Sequence, residues 1–247
     1  MFAIFKKELR GYFTTPVGFV FVGIFLAAAS LICAFTTIQQ ASYNTSTYFQ
    51  YLIFTFIVLI PLLTMRTFAE ERKTRTEQLL LTSPVSLTGM VLGKFFAAYT
   101  LFASSVLVSC INLFPLLAFS ISESSATTAD THIGPVGGQV VGCLLGVLLI
   151  GAAFIAIGIF ISSLTESQLS AAVVTIATLG VMVLIGIVSS AINSAPVRAV
   201  LDWISVLNRY DNFAFGLFDF SALLYYVSIA GVFVFLTVRI YDKRRWG

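Results

Sequence analysis

Six long apolar runs, separated by short polar segments, dominate the chain: 17–38, 47–65, 90–121, 134–163, 169–192 and 221–240. Each supplies the roughly 20 apolar residues that a spanning helix needs, so the pattern predicts six transmembrane helices. The runs at 90–121 and 134–163 exceed that length and are expected to tilt or to project beyond the bilayer. Residues 1–15 follow a different pattern. Phe2, Phe5, Leu9, Tyr12 and Phe13 recur at helical spacing with Lys6, Lys7 and Arg10 between them, which predicts an amphipathic helix lying in the membrane interface. Pro16 suits the first turn of the helix that follows. Residues 191–220 carry a helical stripe of Val197, Val200, Leu201, Ile204 and Leu207, then Phe213, Phe215, Phe218 and Phe220. This segment is too apolar for a plain loop and too interrupted to span, so it predicts a pair of short interfacial or re-entrant helices. The expected fold is an all-α polytopic membrane protein, one transmembrane domain over residues 1–247.

Composition excludes a soluble chain. Only 10% of the residues are charged and the mean hydropathy is +0.98, against about 25% charged residues in a typical soluble domain. Charge also orients the spans. Lys6, Lys7, Arg10, Arg66, Arg72, Lys73, Arg75, Lys94, Arg239, Lys243, Arg244 and Arg245 fall on one side of the six-span arrangement, and only Arg198 and Arg209 on the other. Twelve against two is a strong positive-inside bias, which predicts cytoplasmic termini in a multi-pass cell membrane protein. These cations flank spans, where contact with membrane lipids is their ordinary role, so no nucleic-acid partner is expected. The first apolar run lacks a convincing cleavage site and is expected to stay as an anchor.

The sequence offers little catalytic chemistry. Cys33, Cys110 and Cys143 lie within apolar runs without metal or redox spacing and read as small core residues. Glu70-Glu71-Arg72-Lys73-Thr74-Arg75 matches the EExxxR string of intramembrane proteases, but His132 is the one histidine in the chain and falls on the opposite side. Histidine-ligated metal sites and HExxH chemistry are therefore excluded. Gly89 to Lys94 has a faint likeness to a phosphate-binding loop. It has three residues between the glycines instead of four, Phe95 in place of Ser or Thr, and no preceding strand. The chain is not expected to be an enzyme or to hold a metal or cofactor. No Asp, Glu, Lys, Arg or His lies in the middle of a run, which argues against proton-coupled transport. Asn112 and Gln50 read as interhelical hydrogen-bonders or interface residues. Gly142-x-x-x-Gly146 permits close helix approach, either within the chain or between subunits.

What remains is the charged segment 66–89. On a helix, Glu70 would pair with Lys73 and Glu71 with Arg75, leaving Leu79, Leu80 and Leu81 to dock on a partner or on the membrane. The string Phe68-Ala69-Glu70-Glu71-Arg72-Lys73, followed by Leu79-Leu80-Leu81-Thr82-Ser83-Pro84-Val85 and then Leu92-Gly93-Lys94, resembles the membrane subunit of type-2 ABC exporters. The resemblance is to the branch that includes the gliding-motility-associated permeases. Phe5-Lys6-Lys7-Glu8-Leu9, Tyr12-Phe13 and Pro16 agree in order and spacing, as do Tyr210-Asp211-Asn212-Phe213, Gly216, Asp219, Tyr225 and Arg244-Arg245-Trp246. The likeness covers essentially the whole chain. One departure stands out: many relatives have Gly, Thr, an apolar residue and Glu where this chain has Arg75, Thr76, Glu77 and Gln78.

The resemblance implies two six-span permease subunits, a homodimer or heterodimer, above two cytoplasmic ABC ATPases that bind ATP and Mg. It implies a coupling segment comprising Glu70, Glu71, Arg72, Lys73, Arg75, Thr76, Glu77, Leu79, Leu80, Thr82 and Ser83, with Glu166 as a second, smaller contact. The interfacial helix beside it would use Phe5, Lys6, Lys7, Leu9 and Arg10. External helices carrying Leu201, Trp203, Arg209, Asp211 and Phe213 would cap the outlet. Two other readings stand beside export: a membrane anchor that recruits an ATPase to a surface assembly, and an autonomous channel.

Overall fold

A computed structural model describes residues 1–38, 45–76, 86–115, 137–192 and 195–246. Within them the chain is helical, without strands. An N-terminal helix α1 (Phe2–Thr14) turns at Thr15 into α2 (Pro16–Cys33), which tightens into a π-helical turn at Ala34–Ile38. Then follow α3 (Thr45–Thr64), the short α4 (Ala69–Lys73), α5 (Leu87–Ser109) with a 3₁₀ turn at Cys110–Asn112, and α6 (Gly137–Leu164). The last elements are α7 (Gln168–Ala191), α8 (Ala195–Ile204), α9 (Val206–Ala214) and α10 (Phe220–Trp246). Six of these segments are long and apolar enough to cross a membrane, in the order and places the hydropathy predicts.

Local chemistry sets the boundaries. Thr15 takes an extended backbone, φ −97° and ψ 151°, as a residue before proline prefers, and Pro16 opens α2 where its missing N–H costs no bond. This corner separates the amphipathic helix from the first span. Asp219 Oδ1 accepts from the Ser221 N–H at 2.8 Å and so caps the start of α10. That helix runs six residues past the expected end at 240 and carries Lys243, Arg244 and Arg245 in its last turn, where cations complement the helix dipole. The third span begins at Leu87, earlier than the expected 90. Its expected end at 121, the loop after it and His132 lie outside the described residues.

The central element is α6. It is apolar around its whole circumference, as a helix surrounded by protein should be, and it packs against α3, α5, α7, α9 and α10. Its glycines are notches for neighbouring side chains. A methyl group at Gly151 would collide with the Phe102 ring of α5, and one at Gly158 with the Thr64 side chain of α3. Small residues of this kind let helices approach closely when no water-driven force acts between them. Around the notches, Phe25, Phe56 and Phe102 form an aromatic chain through α2, α3 and α5, with ring centroids 6.2 and 4.9 Å apart. Asn112 meets α2, accepting from Ser30 Oγ at 3.4 Å and, through its carbonyl, from Cys33 Sγ. This is the interhelical role expected of it, whereas Gln50 is exposed.

The notches give a direct test. Gly151→Ala should destabilise the chain by about 1–3 kcal/mol, the usual cost of overpacking. Gly23→Ala, which adds a methyl in open space, should change stability by less than about 0.5 kcal/mol. Equal melting temperatures of the two variants in detergent would contradict this account of α6.

Candidate functional site

At the end of the bundle that carries both termini, α4 is clasped by four other helices. The chain leaves α3 through a tight turn, with Met65 N donating to Pro61 O at 2.8 Å and Thr67 N to Thr64 O at 3.1 Å. The first N–H groups of a helix lack internal partners. Here Phe68 N and Ala69 N both donate to Ser162 Oγ of α6, each at 3.2 Å, and the Ser162 hydroxyl reaches Met65 O at 3.3 Å. One buried serine therefore anchors the entry to α4. The exit is set by Arg75, whose φ of +58° ends the helix in the left-handed region. Glycine is the ordinary residue there.

The centre of the junction is Lys94, on the second turn of α5 and 2% exposed. Its Nζ donates to Glu71 Oε1 of α4 at 2.7 Å, to Thr67 O at 2.9 Å and to Glu8 Oε1 of α1 at 3.1 Å. An ammonium has three protons to donate, and all three find acceptors. The charge also lies 4.9 Å from the centroid of the Phe68 ring, a favourable cation–π arrangement. Phe68 in turn meets Tyr241 of α10 with centroids 4.8 Å apart. Arg72 completes the clasp, bonding Glu166 through Nη2 at 2.7 Å and Leu164 O through Nη1 at 3.0 Å. Arg244 of α10 donates to Ser163 O at 2.8 Å.

The pairings differ from those expected on an isolated helix. Glu70 bonds Arg66 through both carboxylate oxygens, at 2.8 and 2.9 Å, and not Lys73. Glu71 bonds Lys94 and not Arg75. The reason is that α4 spans only five residues: Glu70 turns back to Arg66, four residues earlier in the chain, and Glu71 is taken by the tertiary partner Lys94. The predicted coupling residues thus separate into two groups. Glu70, Glu71 and Arg72 are half-buried against the rest of the chain, while Lys73, Arg75 and Thr76 are exposed together with Thr74; Glu166 is exposed too, held by its bond to Arg72. Glu77, Leu79, Leu80, Thr82 and Ser83 lie outside the described residues. In α1, Phe5 and Leu9 are half-buried and Lys6, Lys7 and Arg10 exposed, the amphipathic division expected. A cleft of about 180 Å³ opens between α1 and the turn before α4, lined by Glu8, Tyr12, Arg66 and Glu70 among others. Burial pushes the Tyr12 phenol up to about 12, so it stays protonated at neutral pH.

The other end of the bundle has a second ordered arrangement. The two short helices predicted over 191–220 are α8 and α9. Phe213 is buried, Leu201 half-buried, and Trp203 and Asp211 exposed. The Phe213 carbonyl oxygen would lie 2.6 Å from a methyl at Gly142, and the Tyr210 ring 2.8 Å from one at Gly146. Both glycines of the GxxxG motif are therefore filled by α9 of the same chain. Tyr226 of α10 donates to Val206 O at 2.7 Å and Tyr225 to Ile204 O at 2.6 Å. Arg209 lies 4.2 Å from the centroid of the Tyr225 ring and donates to Trp203 O at 3.0 Å. Hydrogen bonds from Asn212 and the Ser221 amide hold the Asp219 carboxyl below its ordinary range.

The family model described as ABC-2 family transporter protein matches residues 34–240, which include α3 to α9 and most of α10. The chain belongs to the ABC-2 transporter family. It is a transmembrane subunit of an ABC transporter, a multi-pass protein of the cell membrane, and members of this family in general work with an ABC ATPase and as dimers. No curated protein matches the chain. The match to the ABC-2 family starts after α1, so Glu8 and its bond to Lys94 are known from the structure of this chain and not from the family.

Sequence reasoning did not find Lys94 or Ser162. By sequence, Lys94 counts among the cations that flank a span. Two signals pointed further: a lysine already more than a turn inside an apolar helix needs a partner, and Glu8 is the one acid in the amphipathic segment.

The hub predicts a specific pattern of losses. Removing one partner of a buried ion cluster leaves the others uncompensated. Lys94→Met should cost about 2–4 kcal/mol, because Glu8 and Glu71 would then face each other with only partial access to water. Adding Glu8→Gln and Glu71→Gln to Lys94→Met should recover part of the melting temperature in detergent. A triple variant less stable than Lys94→Met would refute the electrostatic account.

Proposed function

We propose that this chain is the permease of an ATP-driven exporter, that it works as a dimer above separate cytoplasmic ATPases, and that α4 receives the movement of the ATPase. The observation that carries the reading is the two-sided character of α4. Its inward side is fastened to α5, to α6 and to the α6–α7 connection through Glu71, Ser162 and Arg72, and through Lys94 to Glu8 of α1. Its outward residues Lys73 and Arg75 are exposed. A displacement delivered to those residues must move α5 and α6 together, because no single bond can yield without stranding a charge or a backbone amide.

The positive-inside bias supports a cytoplasmic location for this end. The direction of transport and the place in the gliding-motility-associated branch rest on the likeness of residues 68–94 and 210–225 to exporter permeases. ATP and Mg belong, in this reading, to the partner ATPase. Coupling follows if the ATPase binds the two arrangements of α4 with different affinity. The position of α8, packed against α7, and of α9, packed against α6 and α7, suits helices that cap an outlet.

The test separates the two sides of α4. Lys73→Glu with Arg75→Glu should leave membrane insertion and melting temperature close to wild type. The ATPase that co-purifies with the native chain should be lost by about tenfold or more, the scale of reversing two contacts at an interface rim. ATPase recovery and transport unchanged in this variant would remove α4 as the coupling element. An ATPase that binds normally while reconstituted vesicles show no flux would favour the anchor reading.

A further inference from the structure

A groove between α5 and α10, away from the α4 junction, has the dimensions and chemical gradient of a lipid site. Its cavity volume is about 580 Å³, inside the range of about 300–1,000 Å³ typical of small-molecule sites. The α10 wall is one helical face made of two adjoining rows: Gly231, Val234, Val238, Asp242 and Arg245 at steps of three and four residues, and Phe235 and Arg239 four apart beside them. Leu87, Thr88 and Leu92 of α5 form the opposite wall.

The order of those residues along α10 matters. The part toward the middle of the span, from Gly231 to Val238, is wholly apolar. The part at the end carrying the termini holds two guanidinium groups and one carboxylate. A methyl at Gly231 would meet nothing within 4 Å, so the groove is open on its apolar side. Arg239 is 63% exposed, makes only a long 3.5 Å contact with Asp242, and lies 5.0 Å from the centroid of the Phe235 ring. Its charge thus sits just where the apolar wall ends. Arg239 and Arg245 are about 9 Å apart along the helix axis, within reach of one phosphodiester from both sides, and they outnumber the one acid between them. Basic pockets between transmembrane helices are known to hold anionic head groups.

We propose that this groove binds one anionic glycerophospholipid from the adjacent leaflet. Its phosphodiester sits between Arg239 and Arg245, with the Thr88 hydroxyl beside it, and an acyl chain lies along Val238, Phe235, Val234 and Gly231. The lipid fills the notch between α5 and α10 and so braces the span whose Tyr241 and Arg244 support the α4 junction.

The test uses the full chain purified in mild detergent. Native mass spectrometry and thermal shift are read with phosphatidylglycerol, phosphatidylcholine or inorganic phosphate added. Wild type should retain one phosphatidylglycerol per chain and gain melting temperature from it, but gain none from phosphatidylcholine or phosphate. Arg239→Ala with Arg245→Ala should weaken retention about 30-fold, the effect of two cations at a membrane surface. Gly231→Leu, which fills the groove without touching a charge, should also weaken it, while Lys243→Ala should not. Retention that is equal in all variants, lost equally in Lys243→Ala, or matched by phosphatidylcholine would reduce the groove to ordinary bilayer contact and overturn the proposal. Stabilisation by phosphate alone would overturn the lipid as its occupant.

Discussion

Lys94 is a full positive charge in a place that water scarcely reaches, and the arrangement of this end of the molecule follows from keeping it satisfied. An ammonium removed from water loses several kcal/mol of hydration even after the surroundings relax. The compensation here comes from three separate chain segments: a carboxylate from α1, a carboxylate from α4 and a backbone carbonyl from the turn before α4. None of them can drift without leaving the charge exposed to hydrocarbon. The position of α1, the path of the chain out of α3 and the direction of α4 are therefore one constraint. Ser162 applies the same logic to neutral groups, since its hydroxyl takes the two amides that a five-residue helix cannot satisfy.

Much of the fold was legible because a bilayer imposes length and polarity directly on the sequence. All six spans, the N-terminal helix and the two short helices of 191–220 follow from apolar runs, helical spacing and Pro16. The ends were less legible where a tertiary partner decides them. The extension of α10 past residue 240 depends on cations that keep bonding in its last turn, as Arg244 does with Ser163 O. The site was legible only in part. The segment 66–76 stood out by its charge, but which charges turn inward was hidden, because helical spacing knows only neighbours along α4. Glu71 lies 23 residues from Lys94, and Glu8 lies 86. Pairings at such separations are fixed by how α1, α4 and α5 pack, which periodicity does not encode.

The two ends of the bundle are built by different physics, and α6 belongs to both. At the α4 end, its Ser162, Ser163 and Leu164 offer hydroxyl and carbonyl oxygens to α4 and α10. At the far end, Gly142 and Gly146 offer absence of side chain, and α9 presses a backbone carbonyl and a tyrosine ring into the space. Between them, Gly151 and Gly158 admit Phe102 and Thr64. A helix held by notches along its length has few independent sliding positions, because moving it by a fraction of a turn would drive side chains into its backbone. Close-packed contacts of this kind switch between discrete arrangements more readily than they deform. In the coupling we propose, a change at α4 passed to α6 through Ser162 would be carried toward α9 as a shift of the whole rod. In that proposal the ionic end selects what can start the shift, and the glycine notches limit where it can come to rest.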